Sequence, residues 1–200
     1  MAEISASDVK ALRDRTGAGM MDCKAALTEA GGEVEKAVEI LRVKGKAQAA
    51  KRGAREVGEG VVQSYLHATG DKGALVEVDC ETDFVARNEA FREFARDVAL
   101  HVVAARPLYL SEDDIPEEAR QAELRILEEQ AQDKPEEVRS KVAEGRLRKW
   151  LDEVVLLRQL HVNADKHNGK TIEELRAEVA AEFKENVVIR RFARFEVGEE

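Results

Sequence analysis

Cysteines and long apolar runs are scarce in this chain, and each scarcity excludes a class of protein. Only two of the 200 residues are cysteines, and Cys23 and Cys80 lie in different segments. They provide neither a disulfide framework nor a pair of metal ligands at a useful spacing, and we expect both to be small buried hydrophobic residues. No apolar run approaches the ~20 residues that cross a bilayer, and residues 1–5 have no feature of a signal peptide. We therefore expect a cytoplasmic protein that does not bind membranes.

The balance of charge disfavours polyanionic partners. Acidic residues number 41 and basic residues 32, which gives a net charge of −9 at pH 7. Such a protein has little nonspecific attraction for nucleic acid, so we expect no direct binding to it. Hydrophobic residues make up 44% of the chain, which is enough for a real core in one or two domains. The partners are expected to be proteins or small molecules.

Three short stretches resemble ligand motifs, and each lacks an essential part. Residues 17–19 contain two glycines before a helix, but no strand precedes them and the third glycine of a dinucleotide fingerprint is missing. Residues 169–171 end like a phosphate-binding loop whose first glycine is absent. His161, Asp165 and His167 lie among residues typical of a polar turn, which is a more frequent arrangement than a metal site. No nucleophile has an evident base, so we expect no enzymatic activity, no metal and no cofactor.

The spacing of apolar residues predicts an α+β protein in two parts. Residues 1–53 should form an N-terminal three-helix module, similar to a ubiquitin-associated domain, followed by a basic linker. Ser7 or Asp8 can cap its first helix, and the third helix is expected to stop at Gly45. The linker should be helical and solvated, and its basic residues are Lys44, Lys46, Lys51, Arg52 and Arg55.

Residues 54–200 are predicted to form the α+β core, a small antiparallel sheet packed with helices. A β-hairpin is expected over residues 60–80, an inserted antiparallel helical hairpin at about 112–157, and a closing strand over 187–197. The helical hairpin should protrude like a coiled coil because its apolar stripes are thin. Alternation in the closing strand places one set of residues on one face, namely Val187, Ile189, Ala193, Phe195 and Val197.

An apolar pair of residues lies at the junction between the second predicted strand and the helix that follows it. Thr82 or Asp83 can cap that helix, and a carboxylate there suits the positive end of the helix dipole. Phe84 and Val85 then fall in the first turn, before the apolar stripe of the helix begins. Two interpretations are open: Phe84 packs beneath the sheet, as large apolar side chains usually do, or the corner presents it to a partner.

Three motifs in this order resemble those of the bacterial translation elongation factor Ts family, and the resemblance covers essentially the whole chain. They are residues 12–27, residues 82–85 with the sequence Thr-Asp-Phe-Val, and residues 185–192. The resemblance implies a guanine nucleotide exchange factor that binds the GDP-bound GTPase elongation factor Tu and promotes GDP release during translation elongation.

In that family the second motif disturbs the magnesium site of the GTPase. The resemblance therefore assigns this role to Thr82, Asp83, Phe84 and Val85. It also implies that the N-terminal module docks on the GTPase through Arg13, Met20, Met21 and Lys24. The alternative function is an RNA- or ribosome-associated binding module, which would use the basic linker and the arginines of the closing strand, Arg190, Arg191 and Arg194.

This chain departs from the longer members of the family, which carry two related core halves. Only one core unit is found here, and its three-stranded sheet would leave two edges and one face uncovered. A second copy can cover them, so we expect a symmetric homodimer that pairs the sheets. Val188 and Phe192 are predicted to lie on the wetter face of the closing strand, near the two-fold axis.

Overall fold

The computed structural model describes residues 4–16, 18–132 and 135–199, and these form an α+β protein, as predicted. Contacts within the chain divide it into two compact units, Met1–Arg55 and Glu56–Glu200. The helices of the first unit are α1 Ala6–Thr16, α2 Met20–Glu29 and α3 Val34–Gly53. The second unit contains β1 Glu59–Leu66, β2 Lys72–Cys80, α4 Asp83–Ala86, α5 Glu89–Ala105, α6 Glu117–Gln130, α7 Glu136–Val154, α8 Ala164–His167, α9 Ile172–Phe183 and β3 Val188–Glu196.

The first unit is a three-helix module with its own small core, which includes Leu12, Cys23 and Leu27. Its first helix is capped by Ser5, so the prediction of Ser7 or Asp8 was wrong. The amide of Asp8 donates to Ser5 Oγ at 3.2 Å, and the amide of Ser5 donates to the carboxylate of Asp8 at 3.1 Å. This reciprocal pair satisfies two amides at the helix start.

The third helix does not stop at Gly45, as predicted, but continues to Gly53. A single glycine inside a helix is less favourable than alanine by only about 1 kcal/mol. The lysine, alanine and glutamine residues that follow Gly45 are strong helix formers, and they outweigh that penalty. The basic linker is therefore the C-terminal part of α3, which agrees with the expected helical linker.

In the second unit, an antiparallel sheet of order β1-β2-β3 packs its inner face against α5. The predicted alternation along β2 is confirmed, because Ala74, Val76, Val78 and Cys80 are all buried. The stripe of α5 meets them with Phe91, Phe94, Ala95, Val98 and Val102. Helix α9 adds Ile172 and Leu175 to the same core. The sheet is thus covered on one face within the described part of this unit.

The prediction of which β3 side chains face the core is wrong beyond Ile189, because the strand contains a β-bulge. Val78 pairs with Ile189 and Glu77 pairs with Arg191, so Arg190 is an extra residue. A bulge shifts the alternation by one position. Phe192 consequently packs against the helix-covered core instead of lying on the wetter face.

The residues that follow the bulge have also changed faces. Ala193, Phe195 and Val197 are exposed on the open face of the sheet, opposite to Val187 and Ile189, which are buried in the core. The second half of the predicted apolar face is therefore the solvent-facing side of the strand.

The predicted helical hairpin is formed by α6 and α7, which run antiparallel. Arg146 donates to Gln130 near the tip, and Ile115 packs with Leu151 near the base. The predicted break at residues 133–136 lies partly outside the described residues, as does Gly17 of the glycine-containing stretch near the start. Among the helices that the structure describes, none is long and apolar enough to cross a membrane.

Candidate functional site

The corner after β2 is a four-residue helix, α4, set between two caps. Thr82 is extended at its start, with φ −128° and ψ 153°, and its hydroxyl accepts from the amide of Val85 at 3.5 Å. At the other end, the amide of Arg87 donates to the carbonyl of Asp83 at 3.0 Å. Asn88 then caps α5 by accepting from the amide of Ala90 at 2.9 Å. Successive side chains of α4 point in different directions because an α-helix rotates by about 100° per residue.

The corner exposes Phe84 and buries its neighbours. Phe84 is 83% exposed, whereas Val85 and Ala86 are 8% and 6% exposed and belong to the core of the second unit. The interpretation in which Phe84 packs beneath the sheet is therefore wrong. Val85, although part of the predicted site, anchors the corner from below. A fully exposed aromatic ring on a capped corner is unusual, because burial of such a ring normally stabilises a fold.

A second segment holds the start of the corner through Glu185, whose role the sequence analysis missed. The carboxylate of Glu185 accepts three hydrogen bonds: from the Glu81 amide at 3.0 Å, the Thr82 amide at 3.1 Å and the Thr82 hydroxyl at 2.6 Å. In return, the amide of Asn186 donates to Glu81 Oε1 at 2.5 Å. Glu185 opens the third sequence motif, and this was the one signal that could have linked it to the corner.

The charged side chains and the thiol around the corner interact with neighbouring groups. Asp83 pairs with Arg87 at 3.1 Å, but both side chains are substantially exposed, so the pair adds little stability. Burial, and then the charge of Glu185, raises the pKa of the Cys80 thiol to about 11. That thiol also donates to the Thr82 carbonyl at 3.2 Å. Cys80 is therefore protonated at neutral pH, which is the wrong state for a nucleophile.

The candidate residues of the N-terminal module all reach solvent. Met21 is 76% exposed and Met20 is 44% exposed, at the first two positions of α2. Arg13 on α1 and Lys24 on α2 are exposed as well. Between them on α2, Cys23 is fully buried and fixes the helix to the core of the module. Neither Met20 nor Met21 belongs to that core.

Of the two histidines that suggested a metal, His161 is held by hydrogen bonds, and His167 Nε2 lies 3.3 Å from the carboxylate of Asp97. His161 Nδ1 accepts from the Asn163 amide at 3.1 Å, and its Nε2 lies 3.2 Å from the carbonyl oxygen of Asp97. His101 is fully buried. Its Nε2 lies 2.9 Å from Gln159 Oε1, and its Nδ1 accepts from the amide of Val162 at 3.1 Å. Within residues 4–16, 18–132 and 135–199, no group of histidines, cysteines and carboxylates could hold a metal ion.

The arginines of β3 are paired with acids, which weakens the RNA-binding alternative. Arg190 lies 2.7 Å from the carboxylate of Asp79, and Arg191 lies 2.5 Å from that of Glu77. Arg194 lies 2.6 Å from the carboxylate of Glu196. Because each positive charge faces a carboxylate, this strand offers little net attraction to phosphates.

The open face of the sheet carries a patch of apolar side chains. Leu66, Gly73 and Phe195 lie in one row across the three strands, and Ser64, Leu75 and Ala193 lie in the next. The exposed large residues within the three strands on this face are Val62, Leu66, Leu75 and Phe195. We call these four residues the open-face patch.

Comparison with known proteins places the chain in one family. A model of the family described as Elongation factor TS matches residues 3–199. Elongation factor Ts of Desulfitobacterium hafniense is 50% identical over 201 aligned positions, covering 100% of this chain and 91% of that protein. Elongation factor Ts of Caldanaerobacter subterraneus subsp. tengcongensis is 50% identical over 198 positions, covering 98% of each chain. The chain therefore belongs to the elongation factor Ts family of translation elongation factors.

Proposed function

We propose that this protein is a guanine nucleotide exchange factor that binds elongation factor Tu carrying GDP and promotes the release of GDP. The observation that carries the proposal is Phe84, an exposed aromatic ring on a doubly capped corner within the Thr-Asp-Phe-Val motif. Such a ring offers apolar area that only a partner can bury.

The proposed activity requires no catalytic group in this chain, so we also propose that it is not an enzyme. If the factor binds nucleotide-free elongation factor Tu more tightly than the nucleotide-bound form, it must weaken nucleotide binding by the same ratio. GDP then dissociates faster. The protonated thiol of Cys80 and the hydrogen-bonded His161 support this binding role.

At the corner, Phe84 acts as a wedge and Asp83 as a neighbouring charge. Magnesium demands near-octahedral oxygen ligands, and an aromatic ring cannot supply one. A ring pressed against the magnesium site therefore displaces ligands without replacing them, and the GDP phosphates lose part of their counter-charge. Asp83 adds negative charge beside those phosphates, which favours their departure.

The N-terminal module supplies a separate docking surface. Methionine is unbranched and polarisable, so Met20 and Met21 can adapt to an apolar surface of the partner. Arg13 and Lys24 are exposed cations on the same module and can pair with acidic side chains at its rim.

The direct test is stopped-flow release of labelled GDP from elongation factor Tu, chased with excess unlabelled GDP, with and without this protein. We expect release to accelerate in proportion to factor concentration until it saturates. A control with added magnesium should reduce the acceleration, because the metal competes with the wedge. Release at the spontaneous rate throughout would contradict the proposal.

We further propose that the protein is a homodimer joined through the open-face patch. Exposed apolar side chains are normal when scattered, but a contiguous patch usually marks an interface. A two-fold axis would place Phe195 and Leu66 of one copy against the same patch of the other. The ion pairs Arg190 to Asp79 and Arg191 to Glu77 border the patch and suit the polar rim of an interface.

Light scattering at micromolar concentration measures this assembly. The proposal predicts twice the chain mass of 22.3 kDa, and a 2:2 complex with elongation factor Tu. A monomer mass with full exchange activity would contradict it.

A further inference from the structure

We infer that Glu185 is a positioning residue, which fixes the corner so that Phe84 meets its partner in one orientation. The inference rests on the exchange function proposed above. Its basis is the set of contacts between residues 81–82 and 185–186, two segments that lie more than 100 positions apart in the sequence.

The contacts lock the start of the corner from both sides. One carboxylate oxygen of Glu185 accepts from two consecutive amides, those of Glu81 and Thr82, and the other accepts from the Thr82 hydroxyl. Hydrogen bonds to an ionised acceptor are stronger than those between neutral groups. The Asn186 amide donates back to the Glu81 side chain at 2.5 Å. Each segment therefore orients the other.

The Thr82 hydroxyl transmits this restraint to α4. It donates to Glu185 at 2.6 Å and accepts from the amide of Val85 at 3.5 Å. A hydroxyl can rotate, and its proton follows the best acceptor. The carboxylate thus directs the lone pairs of the hydroxyl towards the helix start. Removing the carboxylate would leave the cap without a fixed direction.

The corner needs such a restraint because Phe84 contributes almost nothing to its own placement. Its ring is exposed, so the packing of the second unit does not select its orientation. A helix of four residues is also far too short to be stable alone. Val85 and Ala86 hold α4 from the core side, and Glu185 is the restraint on the strand side.

The test compares rates of GDP release with matched variants at saturating factor concentration. We expect Glu185→Ala to lower the maximal rate by about tenfold, since small misplacements of a group that must insert are expensive. Its half-saturating concentration should remain unchanged, because Met20 and Met21 dock independently of the corner. Glu185→Gln keeps the size and an oxygen for the two amides but cannot also accept from the Thr82 hydroxyl, so it should recover only part of the rate. Glu182→Ala removes an exposed glutamate nearby and should have no effect.

A double variant separates positioning from a general loss of stability. In the Phe84→Ala background, Glu185→Ala should lower the rate no further, because there is no ring left to position. Hydrogen exchange supplies a readout that does not depend on GDP release. The amides of Val85, Ala86 and Arg87 should exchange faster in Glu185→Ala while those in the middle of α5 stay protected.

The outcomes distinguish the two proposals. If the wild-type protein does not accelerate GDP release, the exchange function is wrong, and hydrogen exchange alone decides whether Glu185 restrains the corner. If the wild type is active and Glu185→Ala is equally active, only the positioning role is overturned. Additive losses in the double variant, or unchanged exchange of the corner amides, would also overturn it.

Discussion

The corner and the open face of the sheet both leave large apolar side chains in water, but they do so in different ways. Phe84 is a single ring on a short capped helix, surrounded by polar groups such as Asp83 and Arg87. The open-face patch lies on the three strands of the sheet, with Leu66 and Phe195 in one row and Leu75 in the next. Phe84 is therefore a single projecting side chain, whereas the open-face patch spreads its apolar side chains over the surface of the sheet.

This difference predicts different uses. An aromatic side chain can bury at most about 150–250 Å², whereas a stable interface needs roughly 800 Å² from each partner. Phe84 alone cannot hold a complex together, but it can reach into a partner's site and be withdrawn. The open-face patch has the shape for lasting association between two copies.

Phe195→Asp should abolish the dimer. Each copy would lose the burial of one phenyl ring, worth about 2 kcal/mol, so the dimer should lose about 4 kcal/mol and its dissociation constant should rise about a thousandfold. Sedimentation or light scattering across a concentration series measures the change. Val43→Asp is the matched control, because Val43 is similarly exposed but lies on α3 of the other unit. An unchanged mass for Phe195→Asp would remove the open-face patch from the interface.

Mild acid should abolish exchange activity and dimerisation together, because the same buried core supports the corner and the open face of the sheet. Burial lowers the pKa of His101 to about 4. This histidine therefore takes up a proton near pH 6.5 in the unfolded chain but only near pH 4 in the folded chain. Stability should be complete above pH 6.5 and fall by about 3 kcal/mol as the pH approaches 4. Burial lowers the pKa of His161 as well, which adds to the loss in the same direction.

Urea unfolding from pH 7 to pH 4 measures this dependence. The buried ring of His101 contacts Gln159 Oε1 at 2.9 Å and the amide of Val162 at 3.1 Å, and His161 stacks on it with ring centroids 5.2 Å apart. His101→Gln should flatten the slope, although it lowers stability at pH 7. A dimer that persists in acid after exchange activity is lost would show that the two regions unfold separately.

The parts of the fold that follow from local pattern were predicted, and the errors have local physical causes. The buried face of β2 and the stripe of α5 follow from simple periodicity. The face of β3 was wrong because the bulge at Arg190 depends on pairing with β2, which no period within one strand reveals. The end of α3 was wrong because Gly45 was given more weight than the helix formers around it.

The candidate site divides in the same way. The Thr82 cap follows from the residue type and its position after a strand. The exposure of Phe84 could not be decided from the sequence, since periodicity allowed either burial or presentation to a partner. Glu185 was missed because its contacts with residues 81–82 depend on how distant segments meet in three dimensions.

Phe84→Ala should reduce the maximal rate of GDP release about a hundredfold, or about 2.7 kcal/mol of barrier, as expected when a group acting only in the exchange step is removed. Its unfolding free energy should change by less than about 0.5 kcal/mol, because an exposed ring makes few contacts. Phe91→Ala is the control in the same segment, and this fully buried ring should lose about 3–5 kcal/mol of stability. A stability loss of that size for Phe84→Ala would contradict its role as a wedge.

Removal of the N-terminal unit should have the smallest effect of the four. A fragment that begins at Glu56 keeps the whole second unit, including the corner, Glu185 and the open-face patch. Because the first unit has its own core around Leu12 and Leu27, its loss should leave the fragment folded and dimeric. The missing Met20 and Met21 contacts should weaken binding to elongation factor Tu by about tenfold, or 1.4 kcal/mol.

Titration calorimetry measures this affinity, with Met21→Ala in the full chain as the finer control. At saturating concentration the fragment should still accelerate GDP release, since Phe84 is intact. Equal affinity of fragment and full chain would mean that the N-terminal unit does not dock on the partner.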